Sequence, residues 1–178
     1  MNDDKHTRIS LFSAQELAAH LPQLGALLHA CVQDGASVNF VLPFTQAEGE
    51  TFWRDKVLPG VRGGALSLLV ARRDGVIAGT VQLDCDTPPN QPHRAEVRKL
   101  LVHPAWRRRG IAQALMDELE SLASRRGRSL LTLDTRSGDR AEPLYGARGY
   151  RTAGVIPGFC RDPLNGRLDS TTLMYKAL

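Results

Sequence analysis

The feature that most constrains this chain is a β-strand that leads through a basic, glycine-ended turn into an amphipathic helix. Residues 95–103, AEVRKLLVH, have the composition of a strand, and Pro104 helps to stop it. From Gly110 to about Arg126, apolar residues recur at helical spacing. Residues 129–135, SLLTLDT, predict the next strand. The order predicts a strand–helix–strand unit in the middle of the chain.

Several segments with clear local signals precede this unit. Residues 7–12 predict a short strand. Capping boxes at Ser13 and Thr45 begin two helices, and Pro22 breaks or restarts the first of them. Residues 65–86 predict two strands, joined by a hairpin turn at Asp74-Gly75. After the central unit come a short helix over residues 140–149 and two closing strands over 150–160 and 168–178. Together these elements predict a mixed α/β domain.

Length, cysteine content and charge indicate the setting. The 178 residues predict one domain, 1–178, and they contain no apolar run of about 18 residues that would span a membrane. The polar N-terminus lacks the pattern of an export signal, so we expect a cytoplasmic protein. Three widely spaced cysteines without CxxC, and histidines without HxxxH or HExxH, favour neither a disulfide framework nor a metal site. A net charge of +4 suits an anionic ligand but does not by itself indicate nucleic acid.

The strand before the basic turn has a break in its alternation. Apolar residues alternate at Ala95 and Val97, and the alternation resumes one residue out of phase at Leu100 and Val102. A β-bulge would cause this shift and would leave backbone groups free for a ligand. A strand covered on both faces would also permit it, and the sequence favours neither explanation.

The turn itself has the chemistry of an anion site. Backbone N–H groups at the start of a helix favour phosphate, and Gly110 lets the backbone come close to one. Arg107, Arg108 and Arg109 add positive charge. The glycine pattern of dinucleotide-binding folds and the GKS or GKT of a P-loop are both missing here. The competing interpretation is an exposed basic turn without a ligand.

Two motifs in this half of the chain resemble the GNAT superfamily of N-acetyltransferases. Arg107-x-x-Gly110-x-Ala112 is similar to the superfamily's (Q/R)xxGx(G/A) signature, and the AEPLYGARGY segment from Ala141 to Tyr150 is similar to AxxLYxxxGF. The resemblance implies a central mixed, mostly antiparallel sheet of six to seven strands flanked by about four helices. It also implies acetyl-CoA as co-substrate, with its pyrophosphate held by the backbone amides of the turn.

The resemblance assigns a set of residues to the cofactor. Leu100 and Val102 would offer backbone groups to the pantetheine arm, and the Leu100 amide would stabilise the oxyanion. Many members carry an asparagine where this chain has Gly138, so that contact to the cofactor is missing from the set. The implied cofactor-binding residues are Leu100, Leu101, Val102, Arg107, Arg108, Arg109, Gly110, Ile111, Ala112, Gln113 and Tyr145.

Three residues are candidates for the chemistry of thioester aminolysis. Glu96 lies where some members place a general base; without the resemblance, it would be a surface carboxylate that balances Arg98 or Lys99. Asp134 could share the base role or hold a substrate ammonium, or it could simply follow a strand. Tyr145 is the candidate acid for the leaving thiolate, and its alternative role is helix packing. The sequence does not decide between Glu96 and Asp134 as the base.

A closer resemblance, to tabtoxin-resistance acetyltransferases, covers nearly the whole chain through segments such as GASVNF, IPGFC and NGRL. It implies transfer to a primary amine of a small molecule, with an amino-acid-like toxin or antibiotic as one possible acceptor. The alternatives are a protein N-terminus or lysine as acceptor, a non-catalytic acyl-CoA-binding module, and, ranked last, a nucleic-acid binder. We expect no nucleic-acid or membrane partner, and a homodimer is compatible with the sequence.

Overall fold

A seven-stranded sheet organises the computed structural model, which describes residues 7–178. Its strands are β1 (Arg8–Phe12), β2 (Leu66–Arg73), β3 (Val76–Asp84), β4 (Arg94–Val102), β5 (Leu130–Arg136), β6 (Arg151–Arg161) and β7 (Leu168–Ala177). They lie in the order β1-β2-β3-β4-β5-β7-β6, and β4 with β5 is the parallel pair. The predicted mixed, mostly antiparallel sheet is confirmed. Residues 1–6 of the polar N-terminus, which predicted no export signal, lie outside the described residues.

Six α-helices, arranged in four groups, lie within residues 7–178. They are α1 (Ala14–Ala19), α2 (Leu21–Gln33), α3 (Gln46–Phe52), α4 (Leu58–Arg62), α5 (Ile111–Arg125) and α6 (Ala141–Ala147). Helices α1 and α2 meet at His20, and a π-helical turn, Trp53–Val57, joins α3 to α4. The predicted capping boxes at Ser13 and Thr45 are both present. Pro22 starts α2 rather than breaking a helix, because the first turn of a helix needs no N–H from it.

Each face of the sheet is covered by one layer of helices. Helix α5 packs on one face through Ile111, Leu115 and Leu119, all of which are buried. Helices α1 to α4, which we call the helical layer, pack on the other face around Trp53. The Trp53 indole is fully buried and donates a hydrogen bond of 2.9 Å from Nε1 to the carbonyl of Leu24. Residues of one strand therefore alternate between two separate cores.

Helices α2 and α3 cross in close contact at a pair of glycines. A Cβ atom at Gly49 would lie 2.9 Å from the carbonyl oxygen of Gly25, and one at Gly25 would lie 3.0 Å from the backbone nitrogen of Glu50. Neither position has room for a side chain unless the helices separate. The loop over residues 34–45 connects these two helices, so their close packing restricts where the loop can lie.

The hairpin turn at Asp74-Gly75 is also confirmed. Both residues have positive φ angles, 50° and 77°, as a tight two-residue turn between twisted strands requires. The closing strands β6 and β7 pair antiparallel, with β6 at the sheet edge and largely exposed. In residues 7–178, no helix is both long enough and apolar enough to cross a membrane.

Candidate active site

The predicted basic turn connects β4 to α5 and ends in a strained, glycine-dependent conformation. A short 3₁₀ helix, Pro104–Trp106, follows β4, and Arg108 and Gly110 then adopt positive φ angles of 61° and 78°. Gly110 is the N-terminal cap of α5, and no side chain caps the helix. The backbone N–H groups of the first turn have no acceptor within the helix. They therefore form a cradle suited to phosphate.

Of the three arginines of the turn, Arg107 holds it in place, whereas Arg108 and Arg109 are exposed. The Arg107 guanidinium donates 3.2 Å from Nε to the carbonyl of Val102 and pairs with Asp34. The Arg109 guanidinium lies 5.0 Å from the ring centroid of Trp106. Arg107 thus ties the turn both to β4 and to the end of α2. The sequence missed Asp34, because it lies 73 residues away and carries no local signal.

The broken alternation in β4 is a β-bulge. Thr80 of β3 lies opposite Leu101, whereas Gln82 lies opposite Arg98, so two residues of β4 face one residue of β3. Lys99, in the bulge, has a φ of 50°. Its carbonyl accepts a hydrogen bond of 3.2 Å from the buried hydroxyl of Thr80. Between the two explanations that the sequence left open, the structure decides for the bulge.

The bulge faces a glycine that the sequence did not single out. A Cβ atom at Gly79 would lie 2.6 Å from the carbonyl oxygen of Leu101, and 3.2 Å from side-chain atoms of both Ile111 and Leu115. A glycine at this position allows β3, the bulged β4 and the first turns of α5 to approach one another. An isolated glycine in a strand gives only a weak signal for this close approach.

The two parallel strands stop pairing beside the bulge. The β4–β5 ladder of the described chain runs from Arg94 and Leu130 to Glu96 and Thr132, although both strands continue. Beyond Glu96, the β4 edge that faces β5 has no strand partner in residues 7–178. Its backbone groups are available to an extended ligand inserted between the strands.

A cleft of about 600 Å³ lies between the bulge, the start of α5 and the start of α6. It contains nine of the predicted cofactor residues: Leu100, Leu101, Val102, Arg107, Arg108, Gly110, Ile111, Ala112 and Gln113. The predicted residues Arg109 and Tyr145 do not line it. Residues that the sequence missed, and that line it, include Cys31, Asp34, Trp106, Arg136, Asp139 and Leu144.

Glu96 and Asp134 lie on the opposite face of the sheet from α5. Glu96 is paired with Thr132, and Asp134 follows Thr132 by two residues, so the three side chains share one face. The Thr171 hydroxyl donates 3.2 Å to the Asp134 carboxylate. Arg98 pairs with Asp84 at 2.7 Å, and Glu96 forms no ion pair in the described chain. In the described chain, Glu96 therefore forms no ion pair with Arg98 or with Lys99, the two residues that the alternative interpretation named.

Tyr145 of α6 lies in the core on the α5 side. Its side chain is 6% exposed, and its ring packs edge-on against Tyr150 with centroids 5.6 Å apart. Burial raises the pKa of Tyr145 above its ordinary value, and the negative charges of Asp134 and Asp139 raise it further. The hydroxyl is therefore protonated at neutral pH, as a proton donor must be.

The residue that replaces the family's asparagine has a local structural role. Gly138 has a φ of 76°, and its N–H donates 2.6 Å to the carboxylate of Glu142 in the first turn of α6. Gly138 therefore shapes the entry to α6 and offers no side chain to the cleft.

The loop over residues 34–45 and the β6–β7 turn close the face that carries Glu96 and Asp134. The Leu42 N–H donates 3.3 Å to the carbonyl of Pro163, and the Ser37 hydroxyl lies 3.4 Å from the thiol sulfur of Cys160. The turn is shaped by Asp162, whose carboxylate accepts two backbone N–H groups and pairs with Arg136 at 3.0 Å. The Leu42–Pro163 and Ser37–Cys160 contacts join segments more than 100 residues apart.

Metal ligands do not cluster in the described part of the chain. Over residues 7–178, no group of three or more His, Cys, Asp or Glu side chains is arranged to hold a metal ion. The three cysteines, Cys31, Cys85 and Cys160, are all free.

The mixed, mostly antiparallel sheet and the glycine-ended turn at the start of α5 match the fold that the sequence resemblance implies, that of the N-acetyltransferases. Known proteins agree with this assignment. The model of the acetyltransferase (GNAT) family matches residues 27–150. An uncharacterized N-acetyltransferase from the hisH–hisA intergenic region of Azospirillum brasilense is 32% identical over 124 residues, which cover 68% of this chain and 71% of that protein. The chain therefore belongs to the GNAT acetyltransferase family.

Solved structures share the fold at low sequence identity. The structure of yncA, a putative acetyltransferase from Salmonella typhimurium with its cofactor acetyl-CoA, has a TM-score of 0.75 at 19% identity, over 98% of this chain and 95% of that one. The ribosomal-protein-alanine N-acetyltransferase of Brucella melitensis has a TM-score of 0.73 at 23% identity, over 96% and 99% of the two chains. The family match and the curated relative identify the protein as an N-acetyltransferase, in a family that uses acetyl-CoA, and the solved structures share its fold.

Proposed function

We propose that this protein, as a single domain over residues 1–178, transfers the acetyl group of acetyl-CoA to a primary amine of a small molecule. The observation that carries the proposal is the position of the gap between β4 and β5. The phosphate cradle lies at the start of α5, which packs on one face of the sheet, and the carboxylates of Glu96 and Asp134 lie on the other face. A thioester in the gap would be accessible from both faces.

The cradle fits the cofactor in shape and in chemistry. The N–H groups of Ile111, Ala112 and Gln113 are free to bind the pyrophosphate, and Arg108 is exposed beside them. Gly110 supplies the positive φ from which the helix starts. The nearest atom to a Cβ placed at Gly110 would be Oε1 of Gln113, at 3.9 Å, so the space beside the backbone is open. The open edge of β4 suits the pantetheine arm, and the Leu100 amide is our candidate for the oxyanion donor.

The side chains near the gap suit direct attack of an amine on the thioester. Glu96 or Asp134 takes a proton from the acceptor ammonium, either directly or through water. The neutral amine then attacks the carbonyl carbon, and the carbon–sulfur bond breaks. Tyr145 gives its proton to the departing thiolate and recovers one from the amine nitrogen by way of solvent. No covalent acetyl-enzyme is needed in this scheme.

A contact across the acceptor side supports a small molecule over a protein. The 34–45 loop bonds to the β6–β7 turn through Leu42 and Pro163, which restricts the room for an extended polypeptide there. The likeness to the Brucella ribosomal-protein enzyme keeps a protein N-terminus as the alternative acceptor. The resemblance to tabtoxin-resistance acetyltransferases supports an amino-acid-like toxin or antibiotic as the acceptor.

Release of free thiol from acetyl-CoA tests the proposal. A panel of amino acids, β-lactam amino acids, polyamines and peptides with free N-termini should show turnover for one small-molecule class. Turnover with peptides alone would favour the protein acceptor. Tight binding of acetyl-CoA without turnover of any amine would favour the non-catalytic acyl-CoA-binding module.

We further propose a homodimer in the cytoplasm. The edge strand β6 exposes Val155, Ile156 and Phe159 by 54%, 41% and 54%, an apolar strip that a second copy could cover. The free cysteines suit a reducing compartment. Light scattering of the purified protein would give the mass, and a monomer at all concentrations would contradict the dimer.

A further inference from the structure

Lys99 occupies an unusual position for a lysine. It lies in the β4 bulge with a φ of 50°, in the left-handed region where side chains other than glycine are uncommon. The hydrogen bond from the Thr80 hydroxyl to its carbonyl fixes this conformation. The bulge therefore gives Lys99 a defined direction, next to the gap where the thioester would lie.

The Lys99 side chain extends toward the helical layer and ends over aromatic rings. Its Nζ lies 6.0 Å from the ring centroid of Phe40, in the 34–45 loop, and 5.5 Å from that of Phe52, at the end of α3. The two rings pack edge to face with their centroids 5.2 Å apart. Aromatic faces attract a cation, but they do not neutralise its charge.

No carboxylate in residues 7–178 forms an ion pair with this partly buried ammonium. Burial and the charge of Arg98 lower the pKa of Lys99 to about 8, although Asp134 and Glu96 act in the opposite direction. A leucine or methionine would fill the same space against the phenyl rings without this penalty. A partly buried ammonium that has no carboxylate partner in the described residues is suited to bind an anion from outside the protein.

We infer that Lys99 binds an anionic group of the acceptor, so that the acceptor is a zwitterion with a carboxylate or similar anion close to its reactive amine. This inference rests on the proposed function. Glu96 and Asp134 would receive the ammonium, and Lys99 would receive the anion. The Phe40 and Phe52 rings would form the apolar wall between the anion site and the helical layer.

Anion binding by Lys99 can be distinguished from a general-base role, because it depends on a negative charge on the acceptor. A base would serve every amine equally, whereas an anion-binding residue serves only acceptors that carry the anion. Its loss should therefore change the preference among acceptors and leave the affinity for acetyl-CoA unchanged.

The test compares Lys99→Met with Lys56→Met, an equal change at an exposed lysine of the π-helical turn. Thiol release is measured for amino acids and for their α-carboxamides, which keep the amine but lose the charge. We expect Lys99→Met to lower kcat/KM for the amino acids ~10–100-fold, the range for losing a hydrogen bond to a charged group. The carboxamides should be much less affected, and Lys56→Met should match the wild type. For each acceptor, the kcat/KM of the wild type is divided by that of the variant, so that the intrinsic reactivity of the amine cancels.

A binding measurement keeps the inference separate from the proposed function. Calorimetry on the CoA-loaded protein compares N-acetyl amino acids with N-acetyl amino acid amides, and it requires no turnover. The acids should bind more tightly to the wild type, and Lys99→Met should abolish the difference. Equal binding of acids and amides, no binding of either, or an equal loss of activity for both acceptor series in Lys99→Met would each overturn the inference. A wild type that binds the acids selectively but turns over no amine would refute only the proposed function.

Discussion

The cofactor side and the acceptor side of this protein are built in different ways. The cofactor cleft is formed mainly by one continuous stretch, residues 100–113, and its key groups are backbone amides set by Gly110. The acceptor side is assembled from side chains of β4, β5, the 34–45 loop and the β6–β7 turn. A backbone site requires few particular side chains, so it remains recognisable when the rest of a sequence differs. A side-chain site can be changed one residue at a time, and it therefore determines the particular substrate.

Loss of Glu96 should have the largest effect and should be confined to the acceptor side. As general base, Glu96→Gln should lower kcat ~10²–10⁴-fold, the usual contribution of such a group. The loss should shrink at high pH, where more of the amine is already neutral. Steady-state kinetics would measure the loss of kcat, and calorimetry should show that the affinity for acetyl-CoA is unchanged.

Asp134→Asn and Glu118→Gln complete this experiment. Glu118 is an exposed carboxylate of α5 that pairs with Arg125, so its loss should change little. If Asp134→Asn gives the large pH-dependent loss and Glu96→Gln does not, the base has been assigned to the wrong carboxylate.

Tyr145, buried on the α5 side of the sheet, is the proposed general acid, and loss of its hydroxyl should lower the rate without affecting cofactor binding. We expect Tyr145→Phe to reduce kcat ~10²-fold, within the range for losing a general acid. The ring and its packing remain, so acetyl-CoA affinity and stability should change little. The matched control is Tyr150→Phe, since Tyr150 is equally buried and its hydroxyl has no hydrogen-bond partner in the described chain. Comparable losses in both variants would assign Tyr145 to packing.

Gly110→Glu should weaken the cofactor side alone. The carboxylate would face the pyrophosphate and the side chain would strain the positive φ, so acetyl-CoA affinity should fall ~10–100-fold. Gly127→Glu makes the same change at the other end of α5, where φ is 69° and the space is open. That control should lose similar stability and keep its affinity for acetyl-CoA, as measured by calorimetry. Unchanged affinity in folded Gly110→Glu would contradict the phosphate cradle.

The smallest expected effect concerns stability. The partly buried charge of Lys99 should lower the free energy of unfolding of the wild type. Because folding lowers the pKa of Lys99 from 10.5 to about 8, the unfolded chain binds more protons between these values. The stability of the wild type should therefore rise as the pH increases from 8 toward 10.5, and the penalty should be fully present below pH 8. At pH 7, Lys99→Met should be more stable by about 1–3 kcal/mol. Denaturant unfolding at pH 7 and pH 9.5 would show whether the variant loses this pH dependence, and Lys56→Met should retain it.

Much of the fold could be predicted from the sequence, because its signals are local. The capping boxes at Ser13 and Thr45, the Asp74-Gly75 turn and the strand–turn–helix unit each depend on residues within a few positions of one another. The cofactor cleft was predictable for the same reason. A helix start presents its backbone amides regardless of what the rest of the chain does.

Only the tertiary structure decided what surrounds these local elements. The bulge in β4 depends on how β4 pairs with β3. The gap beside Glu96 depends on where the β4–β5 ladder stops. Lys99 lies 59 residues after Phe40 in the sequence, and Arg107 lies 73 residues after Asp34. The charge and burial of such side chains depend on neighbours brought together by packing of the whole chain. The sequence therefore determined the backbone site proposed to bind the cofactor, and tertiary packing determined the side chains proposed to face the acceptor.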